Sequence, residues 1–399
     1  MTNKYINYLI IAYAFSFPIS KAFVNVLEIL ILLLWIYQGN WKEKFWLLQS
    51  SMVMKLLGAF IVYNILSVVW ASDWLFALHY IGKYHHFLLI PVIYTVLEKK
   101  YVPAVFSAFI LSVFISELLS YGIYFHLFTL NDATPEFPTP FMHHITYSIV
   151  LAFTSTILLT NFFTEKERMY KIFNLLFFVT VSANLFVNGG RTGQVAFMVL
   201  MSLLPFFYIK QKFKAFLLAF SIIGISFYLA YNYSDNFVSR IHQMDKGLQK
   251  IVQENDYTDQ GGMRAALWVV GTDEFLQHPV LGTGIGNEMN NANIHAASHH
   301  FKTRNMNEFA DYHNIFVNEA VQLGSIALLL LLFLFVTLFR LPFQTKQYSV
   351  LNKMFIISFV IFSMTHNTLH LMNPMVFFTL FVGLFSAISR LESNPQHTF

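Results

Sequence analysis

The segment QGGMRAALWVVGTDEFLQHPVLGTGIGNE, residues 260–288, lies inside a polar interruption of an otherwise apolar chain. The interruption runs from Asn232 to Tyr312, with nine apolar segments before it and three after it. A polar segment of this length is not expected to lie within the hydrocarbon core of a bilayer. The pattern therefore predicts three parts: transmembrane helices 1 to 9 in residues 1–231, one large and partly helical loop in 232–312, and transmembrane helices 10 to 12 in 313–399.

The composition indicates the same fold class. Of 399 residues, 56% are apolar and 12% are charged, and the mean hydropathy is +0.54, whereas a soluble domain has about 25% charged residues. We therefore expect an all-α polytopic membrane protein. The chain has no cysteine, which excludes disulfides, thiolate nucleophiles and cysteine-ligated metals. Met1 to Ser20 lacks a small-residue cleavage site and is typical of an uncleaved first helix.

Windows of roughly 17–25 apolar residues predict about twelve spans. They lie near 5–20, 22–38, 52–70, 75–97, 101–127, 142–162, 170–188, 191–208, 213–231, 313–340, 349–367 and 372–389. If the N-terminus is cytoplasmic, the short outside connections carry only two basic residues, Lys21 and Arg191. The positive-inside rule then predicts that both termini are cytoplasmic and that the large loop faces the periplasm or the cell exterior.

The large loop has recognisable parts. Ser234 to Asp259 is charged and predicts a surface helix, and Met263 to Leu276 has the spacing of an amphipathic helix. The glycine-rich LGTGIG, residues 281–286, is expected to be a flexible turn. Residues 287–304 are rich in Asn and His and are expected to be irregular.

Two arginines follow glycines at predicted helix starts. Arg191 lies in NGGRTG, residues 188–193, and Arg264 lies in GGMR, residues 261–264. A helix start exposes unpaired N–H groups, glycines let an anion approach, and guanidinium groups suit phosphate. Two such elements on one side of the membrane could clamp a pyrophosphate. The alternatives are an interfacial arginine snorkelling to lipid headgroups for Arg191 and a solvated loop arginine for Arg264.

His313 is the candidate general base. It lies where the chain re-enters the membrane, between Asp311 and Asn314, and an imidazole titrates near neutral pH. Asp311 either caps the following helix or orients the imidazole. The alternative is an interfacial histidine without a catalytic role.

Other histidines and acids leave several readings open. His295, His299 and His300 in the loop are a weak metal signal, because zinc sites use tighter combinations with carboxylates or cysteines. We therefore expect no metal. Ionisable residues inside predicted spans mark a pathway or a pairing; they are Lys83, His85, His86 and Glu117, and a Glu117–Lys83 pair is the simplest explanation. His366 and His370 are placed to line the same outer cavity as His313. The proline-rich connection 131–141 is either a lip beside the site or a rigid connector.

The order of several motifs resembles that of the O-antigen ligase/polymerase superfamily. The motifs are GGRTG, MRAALW, HPVLGTGIG, YHN and VNEAVQLGSIAL, and the resemblance is most specific from Asn184 to Leu330. The resemblance implies a metal-independent, inverting glycosyltransferase of the GT-C class at the outer face of the bacterial inner membrane. The donor would be a glycan on undecaprenyl pyrophosphate and the acceptor a sugar of lipid A–core. The motifs match Arg191 and Arg264 to the essential arginines of the family, and they match His313 to its essential histidine.

Two other functions remain open. An O-antigen polymerase uses the same donor but extends another lipid-linked glycan, and a small-anion transporter would use the arginines for its substrate. The long outer loop and the lack of a visible internal repeat disfavour the transporter. No cofactor and no nucleic-acid partner are expected; besides donor and acceptor, the partner is membrane lipid.

Overall fold

The computed structural model describes residues 2–233 and 235–393, and the regular secondary structure in these ranges is helical, with no β-strand among them. Eleven helices precede the large loop. They are α1 Thr2–Ser16, α2 Lys21–Gln38, α3 Trp41–Ser50, α4 Met52–Leu66, α5 Trp74–Gly82, α6 Leu89–Val96, α7 Val102–Tyr124, α8 His144–Thr164, α9 Arg168–Val187, α10 Arg191–Tyr208 and α11 Lys212–Tyr233.

The large loop contains three helices, and three more follow it. They are α12 Asp235–Glu254, α13 Gln260–Gln277, α14 Ala292–Ser298, α15 Ile315–Phe339, α16 Lys346–Ser363 and α17 Met372–Ser393. Helices α12 and α13 are those expected from the charged and amphipathic segments. The expectation of irregular structure over 287–304 is wrong in part, because α14 lies within it.

Eight helical segments of the described chain are long and apolar enough to cross a membrane. They are Lys21–Gln38, Met52–Trp70, Lys99–Tyr124, His144–Thr164, Arg168–Val187, Lys212–Tyr233, Ile315–Phe339 and Met372–Ser393. The all-helical, polytopic class is thus supported. Of the other predicted spans, α1 has only 15 residues, α10 and α16 have 18 each, and the span 75–97 is interrupted. The count of twelve and the orientation remain predictions.

The interruption of the predicted span 75–97 is a 3-10 helix, Lys83–Leu88, between α5 and α6. It buries His86 inside the bundle and leaves Lys83 exposed. The predicted pair between Lys83 and Glu117 is therefore wrong, because Glu117 is itself buried and makes no ion pair with the exposed lysine. The partner of His86 is Glu28 of α2, whose carboxylate lies 2.7 Å from His86 Nδ1.

The core of the bundle forms around α8 and α17, whose residues are largely buried. Aromatic rings join α8, α16 and α17: Phe153 of α8 and Phe381 of α17 meet edge to face at 4.9 Å, and Phe355 of α16 meets Phe377 of α17 at 5.3 Å. Hydroxyl side chains in α8 donate to carbonyls four residues earlier, as Thr154 does to Val150 at 2.7 Å. The ring contacts show that many phenylalanines serve packing, as the sequence indicates.

Helix α15 is kinked at Gly324, which has φ 72° and ψ −168°. Residues 279–284, which we call the strap, lie against the kink. The backbone N–H of Thr283 donates to the carbonyl of Val321 at 2.8 Å, so a carbonyl freed by the kink is satisfied. The expectation that this glycine-rich stretch is a flexible turn is wrong, because hydrogen bonds fix it to the helix.

Candidate active site

Arg191 is the first residue of α10, as the sequence predicts, and Gly190 is its N-cap. The glycines beside it have a packing role that the sequence does not reveal. A Cβ atom on Gly190 or Gly193 would collide with Ser148 of α8, and the N–H of Gly193 donates to Ser148 Oγ at 3.1 Å. The two glycines therefore let α10 approach α8 closely and fix the place from which Arg191 extends.

The connection 131–141 lies beside this helix start. The ring centroids of Phe137 and His144 are 4.6 Å apart. A Cβ atom added to Gly189, whose φ is +70°, would lie 3.8 Å from the Phe137 ring. The connection also borders an open cavity of about 430 Å³, lined in addition by Lys21 and His143. This placement supports the interpretation of the connection as a lip beside the site.

Arg264 lies in the first turns of α13. Asp259 caps this helix by accepting from the N–H of Gly262 at 2.6 Å. The Arg264 side chain is half-buried, and burial lowers the pKa of its guanidinium. A desolvated cation binds an anion more strongly than an exposed one, because less water must be displaced and less screening occurs.

The starts of α10 and α13, each of which has glycines and an arginine, are in contact. Arg191 Nη2 donates to Oε1 of Gln260, the first residue of α13, at 3.4 Å. Helix α10 is also joined to the connection between α16 and α17, because the hydroxyls of Thr192 and Thr365 are 3.0 Å apart. The starts of α10 and α13 therefore face the same region, as a clamp for two phosphates requires.

His313 is held by Asp311 in a left-handed backbone conformation with φ 49°. Its backbone N–H donates to Asp311 Oδ1 at 2.7 Å, and its Nδ1 lies 3.2 Å from the same oxygen. Burial alone would raise the pKa of Asp311, but the hydrogen bonds and charge of His313 lower it overall. The cap of α15 is Asn314, which accepts from the N–H of Phe316 at 3.0 Å. Of the two roles open for Asp311, the geometry supports orientation of the imidazole.

His366 lies next to His313, with their ring centroids 6.2 Å apart. Burial, followed by the charges of Arg264 and His313, lowers the pKa of His366 to about 3. The pKa of His143 is lowered by desolvation and by the charges of Arg264 and Lys21. These interactions place Arg264 in the same region as the histidines. His143 is not among the residues predicted from the sequence, and its signal there is a histidine pair, residues 143 and 144, just after the proline-rich connection.

His370 does not line this region, which corrects the expectation. It is buried, stacks on Tyr80 at 3.8 Å, and directs Nε2 to the hydroxyl of Tyr84 at 3.0 Å and to Glu319 Oε1 at 3.4 Å. Burial lowers its pKa to about 3. His370 therefore belongs to the packed interior beneath the site.

A buried hydrogen-bond chain continues from this interior to the outer loop. The Tyr80 hydroxyl donates to Gln322 Oε1 at 2.9 Å, and Gln322 Nε2 donates to Glu288 Oε1 at 2.5 Å. The hydroxyl of Tyr312 donates to the backbone carbonyl of Glu288. Neither Glu288 nor Glu319 is predicted as a site residue from the sequence, because single acids in a loop and in a helix form no local motif. The chain ties the loop to α5 and α15.

The loop histidines have structural partners. His295 Nε2 lies 2.8 Å from Glu274 Oε2, and His299 Nε2 lies 2.6 Å from Asp273 Oδ2. His295 and His299 are one turn apart, at α14 and its end, and the two carboxylates are consecutive on α13. We call this pair of contacts the clasp. The clasp gives a packing role to two of the three loop histidines, His295 and His299. The third, His300, is exposed.

The chemistry available here is that of anion binding next to a base. Arg191 and Arg264 offer guanidinium groups beside two helix starts, where backbone N–H groups and the helix dipole favour negative charge. With Nδ1 of His313 directed to Asp311, its Nε2 is left for a substrate. The arrangement suits a reaction in which a hydroxyl is deprotonated and a phosphate leaves.

Part of the chain matches a known family. Residues 176–332 match the family model described as O-antigen ligase, and the matched range contains Arg191, Arg264 and His313. No curated protein matches the chain. The match over residues 176–332 supports an assignment to the O-antigen ligase/polymerase superfamily.

Proposed function

We propose that the protein is an O-antigen ligase, a glycosyltransferase of the GT-C class that moves a glycan from undecaprenyl pyrophosphate to a sugar hydroxyl of lipid A–core. The observation that carries the proposal is the contact of Arg191 with Gln260 at 3.4 Å, which joins the two glycine–arginine helix starts. The match of residues 176–332 to the family supports it.

In the proposed mechanism, His313 Nε2 accepts the proton of the acceptor hydroxyl as that oxygen attacks the anomeric carbon. Asp311 holds the imidazole and stabilises the imidazolium that forms. The new C–O bond forms on the face opposite the leaving group, so the anomeric configuration inverts. The bond to the carrier pyrophosphate breaks, and Arg191 and Arg264 stabilise its charge. The proton on His313 then passes to water. The reaction requires no metal and no nucleotide.

An apolar groove between α9 and α11 supports a polyprenyl donor. Its volume is about 370 Å³, and its lining includes Phe186, Val187, Leu229 and Tyr233. Val187 precedes Arg191 by only four residues. A polyprenyl tail in this groove would therefore place its pyrophosphate near the guanidinium group.

The proposed location is the inner membrane of a bacterium, with both termini in the cytoplasm and the site in the periplasm. The orientation rests on the distribution of lysine and arginine between connections, and the bacterial inner membrane is the location that the family resemblance implies. Both substrates are lipid-anchored, so a site at the membrane rim meets them without removing their tails from the bilayer.

The test is deletion of the gene in its host, followed by electrophoresis of the lipopolysaccharide. A ligase predicts loss of all polymer from lipid A–core while polymer accumulates on the carrier lipid. Core bearing a single repeat unit would instead indicate the polymerase, which shares the donor chemistry. Unchanged glycan with altered uptake of a small anion would reject both and indicate the transporter.

A further inference from the structure

Glu28, His85 and His86 form a cluster in a part of the bundle that the proposed reaction does not use. Each offers one ligand atom, and these atoms lie within 4.8 Å of one another. Glu28 belongs to α2, and the histidines belong to the 3-10 helix Lys83–Leu88. Glu28 and His86 are buried, and His85 is exposed. The cluster therefore has one open side.

The carboxylate of Glu28 is held from two directions. The hydroxyl of Tyr13 donates to Oε1 at 2.8 Å, and His86 Nδ1 lies 2.7 Å from Oε2. These contacts fix the carboxylate in place. They also mean that a proton now lies between His86 and Glu28.

His85 presents an unmatched nitrogen to the same carboxylate. Its Nδ1 lies 3.0 Å from the backbone carbonyl of Gly82, which can only accept, so Nδ1 carries a hydrogen. In a neutral ring, Nε2 then holds a lone pair, and it lies 3.9 Å from Glu28 Oε2. The lone pair of His85 Nε2, the carboxylate of Glu28 and the Nδ1 of His86 therefore border one small space, and the three ligand atoms lie within 4.8 Å of one another.

We propose that Glu28, His85 and His86 bind a divalent transition metal, with Zn²⁺ as the best match. Two imidazoles and one carboxylate are a common three-residue zinc set, which leaves a further position for water. A hydrogen bond from the non-ligating ring nitrogen to a backbone carbonyl, as His85 makes, orients a zinc ligand. Binding displaces the proton between His86 and Glu28, which is released to solvent.

The proposed role of the ion is structural. It would pin α2 to the segment between α5 and α6, where a 3-10 helix replaces regular α-helix and holds the backbone less firmly. The proposal is independent of the glycosyl transfer, because Arg191, Arg264 and His313 are not among the ligands.

The test uses the full-length protein in lipid nanodiscs, stripped with a chelator and then desalted. Zn²⁺ is titrated in competition with a chromophoric chelator, and Co²⁺ absorption reports the coordination. We expect one tight site per chain, proton release on binding and a rise in the thermal midpoint with Zn²⁺. His85→Ala removes an exposed ligand without opening the core, and it should weaken Zn²⁺ binding at least about 10-fold.

The matched control is His79→Ala, which removes an exposed histidine of α5 outside the cluster and should leave the tight site intact. Glu28→Gln provides a second loss of a ligand while retaining an acceptor for Tyr13. Equal Zn²⁺ affinity in wild type and His85→Ala would overturn the proposal. Absence of tight binding in the wild type would also overturn it.

Discussion

Oδ1 of Asp311 accepts from one residue twice: from the backbone N–H of His313 at 2.7 Å and from its imidazole Nδ1 at 3.2 Å. One carboxylate oxygen therefore fixes both the backbone and the ring of the proposed base. Because Nδ1 is committed to Asp311, the proton-accepting nitrogen is Nε2, and its direction is set before the substrate arrives.

We expect His313→Ala to lower kcat of glycan transfer by about 10²- to 10⁴-fold, the usual contribution of a general base. Asp311→Asn should lower kcat less, because the base remains but its orientation and tautomer are less well fixed. The measurement is transfer from a polyprenyl-pyrophosphate glycan to lipid A–core by purified protein. His300→Ala, at an exposed loop histidine, is the control and should retain activity. Unchanged kcat in His313→Ala would exclude it as the base.

Arg191→Ala and Arg264→Ala should each lower kcat by about 10²- to 10³-fold, because in the proposed mechanism each arginine stabilises the leaving pyrophosphate. Lysine at either position should restore only part of the rate, since it cannot form a bidentate contact with phosphate. The control is Arg304→Ala, which removes an exposed arginine of the same loop. Equal losses in all three alanine variants would indicate a general effect of loop charge and would contradict specific roles.

Acid should destabilise the protein through His366. Its folded pKa is about 3, against an ordinary value of 6.5. Between these values the unfolded chain binds a proton that the folded chain does not, so stability falls as the pH is lowered through this window. We expect the thermal midpoint in nanodiscs to fall below pH 6.5 and His366→Gln to reduce the slope. The same slope in wild type and variant would refute this.

The two contacts of the clasp should differ in strength. Glu274 is 1% exposed, and His295→Ala leaves its Oε2 without a donor while Asn291 still donates to Oε1; the change should cost about 1.5–3 kcal/mol. The pair of His299 and Asp273 is more exposed, and His299→Ala should cost about 0–1 kcal/mol. Denaturant unfolding and limited proteolysis of the loop measure both. A larger effect of His299→Ala would contradict the order that burial predicts.

Gly324→Ala should destabilise the protein strongly. A residue with a side chain is strained at φ 72°, at roughly 1–3 kcal/mol, and its Cβ would also collide with the carbonyl of Val280 in the strap. The control is Gly58→Ala in α4, where a Cβ has no neighbour within 4 Å. That control should be neutral or should stabilise by up to about 1 kcal/mol. The measurement is the thermal midpoint of each variant. Equal midpoints would show that the kink at Gly324 does not cause the destabilisation.

The parts of the site that follow local rules were predictable from the sequence. Arg191 begins α10, and Arg264 lies in the first turns of α13, because glycines and an Asp cap mark helix starts in the sequence itself. The order of several motifs predicted the family, and the match of residues 176–332 supports that prediction.

The parts that depend on tertiary contacts were not predictable. The Glu28–His86 pair joins residues 58 apart in sequence, and sequence reasoning chose Glu117 and Lys83 instead. Ionisable residues in spans indicate that a partner exists but not which one. Likewise, the strap resembles a flexible turn in sequence, because its hydrogen-bond partner lies across the kink of a distant helix.

The kink at Gly324 has a consequence for biosynthesis. The strap is held by carbonyls of α15, which is translated more than thirty residues after the strap begins. The loop therefore cannot take its final place until α15 has left the ribosome and entered the bilayer. Arg191 is synthesised early, but the clamp it shares with α13 should form only late. A nascent chain that stops before Gly324 would expose its polar loop without an assembled site, so such truncated products should be inactive and readily degraded.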